Sequence, residues 1–155
     1  MAPKANSSQP IVVTVTGFDE LFKSLTSIRD NVTPAAGEAL VVEAAGILRQ
    51  SRKEVPFDKG VLSSSGRIHQ PFIVGNKAGV EISYGGATDM GDVTYAEVQH
   101  ENTSFRHAPG RKAFYLRDPV DNARDGFDTR FARNVKKILA NRKIETEMGG
   151  EDGNP

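Results

Sequence analysis

The spacing of apolar positions divides this chain into segments of different period. Ile11 to Thr16 (IVVTVT) is a β-branched run closed by Gly17, which predicts a strand. Phe18, Leu21, Phe22, Leu25 and Ile28 then recur at three- and four-residue steps and predict an amphipathic helix. A second helix is expected from Thr33 as cap and Pro34 at the first helical position, where the missing N–H leaves nothing unsatisfied. Leu40, Val41, Ala44, Ile47 and Leu48 form its apolar face, and Pro56 ends it. Gly37 and Gly46 lower its intrinsic propensity, so packing or the close approach of another backbone must hold it.

The middle of the chain changes to short β-rich runs. Arg67 to Val74 and Val80 to Tyr84 predict two strands joined by a hairpin loop at Gly75-Asn76-Lys77-Ala78-Gly79. Gly85 to Asp92 (GGATDMGD) reads as a second glycine-rich connection and Val93 to Gln99 as a further strand. Asp118-Pro119 predicts a cap and helix start, followed by a stripe of Val120, Ala123, Phe127, Phe131, Val135, Ile138 and Leu139 to about Asn141. The expected fold is α+β: an antiparallel sheet of about four strands in one layer, covered by two to three amphipathic helices in a second.

Composition refines this picture at the ends and in the charge pattern. With 155 residues, one domain is expected over 11–142. The polar stretches 1–10 (MAPKANSSQP) and 143–155 have almost no periodic apolar residues, and are expected to be a flexible arm and a flexible acidic tail. Lys+Arg and Asp+Glu balance at 20 each, yet Arg106 to Lys143 holds eleven basic residues against four aspartates, a net of +7 by subtraction. Such a block is ordinarily a solvated helix face. Cysteine is absent, which excludes disulfides and thiolate chemistry. Met1-Ala2-Pro3-Lys4 does not open a signal-peptide pattern, and no window approaches the ~20 apolar residues of a membrane span. A soluble protein with no membrane partner is expected, and the lack of cysteine is compatible with assembly in the cytoplasm.

Three local constellations remain. In the turn Pro56-Phe57-Asp58-Lys59-Gly60-Val61-Leu62, Asp58 is suited to accept backbone N–H bonds, Gly60 to supply a positive φ, and Leu62 to return the chain to the core. Ser63-Ser64-Ser65-Gly66 after it matches neither a nucleophile elbow nor a phosphate loop, and a flexible or edge segment is expected. His100 and Glu101, with Glu97 and His107 nearby, lack the His-Glu-x-x-His spacing of a zinc site. Asn102 to Lys112 is a polar loop around Phe105 in which Arg106, His107, Arg111 and Lys112 concentrate positive charge. No catalytic, metal or cofactor residue is assigned.

Taken in order, Pro56–Leu62, Tyr95-Ala96-Glu97-Val98-Gln99-His100-Glu101 and Pro109-Gly110-Arg111-Lys112-Ala113-Phe114-Tyr115-Leu116 resemble the neck, or tail-completion, proteins of long-tailed bacteriophages. The resemblance runs from about Gly17 to Leu139, with Lys59 standing where that family has a threonine. It implies a non-enzymatic virion subunit, assembled in the host cytoplasm, which joins the head connector to the tail as a ring of identical copies. Family precedent favours a hexamer, with a dodecamer as the alternative beside a connector. Partners would be connector or stopper proteins on one side and tail terminator or tube proteins on the other. Passing DNA would be touched only non-specifically. Tail terminator and head-closure rings are the runner-up stations. The resemblance implies that Tyr95 packs the sheet against a helix. It places His100 and Glu101 near a subunit boundary, with Phe105, Arg106, His107, Arg111 and Lys112 at ring contacts or facing the lumen. A nuclease-like domain using Arg106–Arg111 with His100, His107, Glu97 and Asp118 is the reading from another class.

Overall fold

The computed structural model describes residues 10–15, 32–74 and 77–148. Strand β1 (Ile11–Val15) leads the described chain, and helix α1 (Val32–Glu54) follows. A single helical turn, α2 (Val61–Ser64), precedes strands β2 (Arg67–Ile68), β3 (Phe72–Val74) and β4 (Lys77–Tyr84). A two-stranded hairpin of β5 (Gly86–Thr88) and β6 (Gly91–Val93) comes next. Three helices complete the fold: α3 (Ala96–Glu101), α4 (Arg117–Ala123) and α5 (Phe127–Met148). The helix expected over Phe18–Ile28 lies outside the described residues.

The architecture is α+β. β4 is the centre of the main sheet, paired antiparallel with β1 along its length (Ile11↔Tyr84 to Val15↔Val80) and with β2 and β3 on its other edge. Ala78, Val80, Ile82 and Tyr84 alternate along β4 and are buried together on one face of the strand. α1 lies between the sheet and α5: it packs on β4 on one side and on α4 and α5 on the other. This differs from the expected two layers, because α5 packs chiefly on α1. It also explains why the buried surface of α1 exceeds the single stripe read from sequence. Ala35, Ala36, Ala39 and Ser51 are fully buried alongside Leu40, Ala44, Ile47 and Leu48, since a helix covered from two directions buries two faces. Small residues there let both neighbours approach. Gly37 meets the ring of Pro71, whereas Gly46 is exposed with open space above it.

Several expected boundaries move. Residues 77–79, expected in a hairpin loop, belong to β4, where they pair with β3 from Val74↔Lys77 to Phe72↔Gly79. Gly85–Asp92 contains the β5–β6 hairpin, with Thr88 paired to Gly91. Val93–Gln99 is not a strand: β6 ends at Val93, and α3 starts at Ala96. Its helical period buries Ala96 and His100, four residues apart, and leaves Glu97 and Glu101 exposed. The last apolar stripe is two helices, broken at 124–126 where Gly126 has φ +67°. The Arg130 guanidinium closes that break by donating to the carbonyls of Ala123 and Asp125. α5 runs on to Met148, so the tail expected to be flexible from 143 is helical through that residue.

The serine run is likewise ordered. Ser65 is fully buried, donates from Oγ to the Leu62 carbonyl at 2.7 Å and accepts from the Gly85 N–H at 3.0 Å. Gly66 beside it is required by space: a Cβ there would lie 2.8 Å from the Tyr84 ring and 2.9 Å from Leu48 Cδ1. Gly66→Ala is therefore expected to cost about 1–3 kcal/mol by overpacking. Urea unfolding of the variant checks this, and an unchanged midpoint would mean that Gly66 does not sit against Tyr84 and Leu48.

Candidate subunit interface

The turn and the loop singled out in the sequence meet in space. Pro56 to Leu62 forms one wall of a cleft of about 330 Å³, and Tyr95, Gln99, Arg106 and His107 form the other. A single water occupies about 30 Å³, so the cleft has room for side chains. The turn is shaped as expected by Gly60 at φ +82°, and Leu62 is buried. Glycine serves a second purpose there, because a Cβ would stand 3.1 Å from the Phe57 ring. That ring lies over Gly60 with the Arg111 guanidinium 5.4 Å from its centroid, yet it is 56% exposed. Tyr95 is 40% exposed and Phe105, next to Arg106, is 39% exposed.

These exposures set the three aromatics apart from the tyrosines of the core. The other two tyrosines are fully buried: Tyr84 shares a 3.0 Å hydrogen bond with the Ser51 hydroxyl, and Tyr115 donates to the Ala96 carbonyl at 2.8 Å. Burial raises both phenol pKa values. Tyr84 and Tyr115 thus perform the packing assigned to Tyr95 from sequence, and Tyr95 faces outward on the cleft. Solvent-exposed aromatics beside arginine have the composition of a protein–protein contact.

His100 and Glu101 belong to the subunit's own interior and rim. The His100 ring is 2% exposed, edge-on to Tyr115 (4.9 Å) and Phe114 (5.8 Å). Its Nε2 accepts the Arg117 N–H at 3.3 Å, so Nδ1 carries the proton and donates to Glu101 Oε1 at 2.7 Å. Both nitrogens are engaged within the chain. Glu101 then takes the Arg117 guanidinium at 2.9 and 3.1 Å, and that guanidinium covers the Phe114 ring.

Burial pushes the His100 pKa down, against the opposing pull of Glu101. Burial also raises the Glu101 carboxyl, but the hydrogen bond and charge of His100, together with Arg117, outweigh it and hold Glu101 below its ordinary value. A depressed histidine leaves stability complete above its unfolded pKa of about 6.5 and erodes it as pH falls below, because the unfolded chain then binds a proton that the buried ring resists. Glu101 adds its own loss only below its ordinary value of 4.5. Urea midpoints are thus expected to fall between pH 7 and pH 5, and His100→Gln to flatten that slope. An equal slope in the variant would assign it to another group.

Arg111 and Lys112 are engaged as well. Arg111 Nη1 donates to the carbonyls of Arg52 (2.8 Å) and Val55 (3.0 Å), closing the C-terminal end of α1. Lys112 Nζ reaches Asp118 at 2.5 Å and Glu54 at 3.3 Å, and the hydrogen bond to Asp118 leads in raising its pKa. Arg111, expected at a ring contact or facing the lumen, is thus engaged within its own chain. Other members of the basic block also pair across elements, Arg130 with Glu43 and Arg142 with Glu38, which tie α5 to α1. Arg106, Arg133, Lys136 and Lys137 are exposed.

His107 lines the cleft, and its Nε2 is a buried atom with no hydrogen-bond partner among the described residues. Among those residues, no group of three or more His, Cys, Asp or Glu side chains is placed to hold a metal ion, and no helix is long and apolar enough to cross a membrane. Comparison of the chain with protein-family models, curated proteins and solved structures finds no match. The sequence reading missed Phe57 and Lys59 as cleft residues. One signal was present: a turn needs its proline, aspartate and glycine, but nothing in turn chemistry asks for a phenylalanine between them.

Proposed function

We propose that this chain is a structural virion subunit, a neck or tail-completion protein that forms a homo-oligomeric ring joining phage head to tail. The observation that carries the reading is the cleft: the first two motifs of the resemblance, far apart in sequence, face each other across it with Phe57, Tyr95 and Arg106 exposed. Within the chain Phe57 packs on Gly60 and Arg111 but leaves more than half of its surface in solvent, and a ring contact of that composition would gain affinity by covering it. The station of tail terminator or head-closure protein fits the same contact surface. The nuclease-like reading is disfavoured by His100, whose ring is sequestered and whose two nitrogens are both engaged.

The test is complementation of a phage lacking this gene. A Tyr95→Ser, Arg106→Glu variant is expected to keep its melting temperature, because both side chains are exposed, and to leave separate heads and tails under the electron microscope. Normal yields of joined particles would refute the interface. Metal-dependent cleavage of DNA by the purified protein, lost in His100→Ala, would refute the structural role itself.

A further inference from the structure

The cleft has a counterpart on the same chain. β5 and β6 are joined by the two-residue turn Asp89-Met90, and Met90 at its tip is 57% exposed. The tip is not loose: Thr88 Oγ1 donates to the Gly91 carbonyl at 2.7 Å and accepts the Met90 N–H at 3.1 Å. The Arg67 guanidinium anchors the hairpin by donating to the Ala87 carbonyl. A flexible apolar side chain is thus presented on a fixed stalk, flanked by the exposed carboxylates of Asp89 and Asp92.

We propose that the hairpin tip of one copy inserts Met90 into the cleft of another copy, between Phe57 and Tyr95. Methionine against aromatic rings is a favourable contact, and its unbranched chain adapts to an irregular cavity. The charges match: Lys59 and Arg106 line the cleft and meet Asp89 and Asp92, while Asp58 is the one carboxylate among the lining residues. The incoming turn also brings polar groups within reach of the unpartnered His107 Nε2. Because knob and cleft are different surfaces, each copy offers one of each, which is the requirement for a contact that propagates from copy to copy. The inference rests on the self-assembling part of the proposed function and names the contact that does it.

Charge exchange tests it on the full-length chain. Wild type is expected to self-associate in sedimentation velocity. Asp89→Lys with Asp92→Lys, and separately Lys59→Glu with Arg106→Glu, should each sediment as monomer with wild-type circular dichroism. An equimolar mixture of the two variants should regain the wild-type mass, since each reversed knob then meets a reversed cleft. Wild type that stays monomeric to about millimolar concentration, variants that associate normally, or a mixture that stays monomeric would each overturn the contact. Phage complementation is read separately. Rescue of mass in the mixture without any role in particle joining would leave the contact standing and remove the virion reading. Loss of joined particles by a cleft variant of a monomeric protein would assign the cleft to a different partner and overturn the inference.

Discussion

Phe131→Ala is expected to lower the unfolding free energy by about 3–5 kcal/mol, a large share of the roughly 5–15 kcal/mol that holds a typical domain together. The side chain is fully buried and stacks on Phe127, one helical turn earlier, at 5.6 Å between ring centroids. α5 packs chiefly on α1, and Phe131 belongs to the same buried cluster as Ala35, Ala36, Ala39 and Ala44 of that helix. Alanine would therefore open a cavity between two helices that cannot collapse without breaking the Arg130–Glu43 and Asn134–Glu43 hydrogen bonds spanning them. Phe127→Ala should follow in the same direction. Urea or thermal unfolding measures both. A Phe131→Ala protein with an unchanged midpoint would mean that α5 does not pack on α1 in the free subunit.

Arg111→Glu is expected to cost about 2–4 kcal/mol, from two charge-assisted hydrogen bonds and the interaction of a cation with a helix C-terminus. The guanidinium closes carbonyls at the end of the 23-residue α1 and lies over Phe57. A carboxylate there would face those same carbonyl oxygens and leave the Phe57 turn unsupported. Arg106→Glu, by contrast, should stay within about 0.5 kcal/mol of wild type, because its side chain is exposed. The two arginines lie five residues apart in one loop and read alike in the sequence. Denaturation of the two single variants separates them, and equal stabilities would contradict the capping role of Arg111. Particle assembly should fail in both, in Arg111→Glu through the shape of the turn and in Arg106→Glu through the contact itself.

Much of the fold was legible because it is governed by local periodicity. The β-branched run at Ile11, the apolar face of α1 through Leu40, Ala44, Ile47 and Leu48, the buried Phe127, Phe131 and Val135, and the left-handed Gly60 all follow from neighbours within a few residues. Errors gathered where the local signal is ambiguous. Ala96 to Glu101 is too short for period two and period 3.6 to be told apart, and a tyrosine and a valine nearby tilted the reading toward strand. Gly86 to Val93 has few apolar residues, so its hairpin rests on backbone pairing and the Thr88 turn, neither of which leaves a hydrophobic pattern.

The candidate interface shows the same division more sharply. The chain by itself determined the α+β class, the turn at Gly60, the position of the core helices and the charged stretch from Arg106 to Lys112. Which of three tyrosines lies outside, which of two arginines is free to meet a partner, and that Phe57 shares a cleft with Tyr95 were decided only by tertiary structure. The physical reason is range. Periodicity and turn chemistry act over a few residues, but exposure is set by what the rest of the chain brings alongside: Ser51 to Tyr84 across 33 positions, or Val55 to Arg111 across 56.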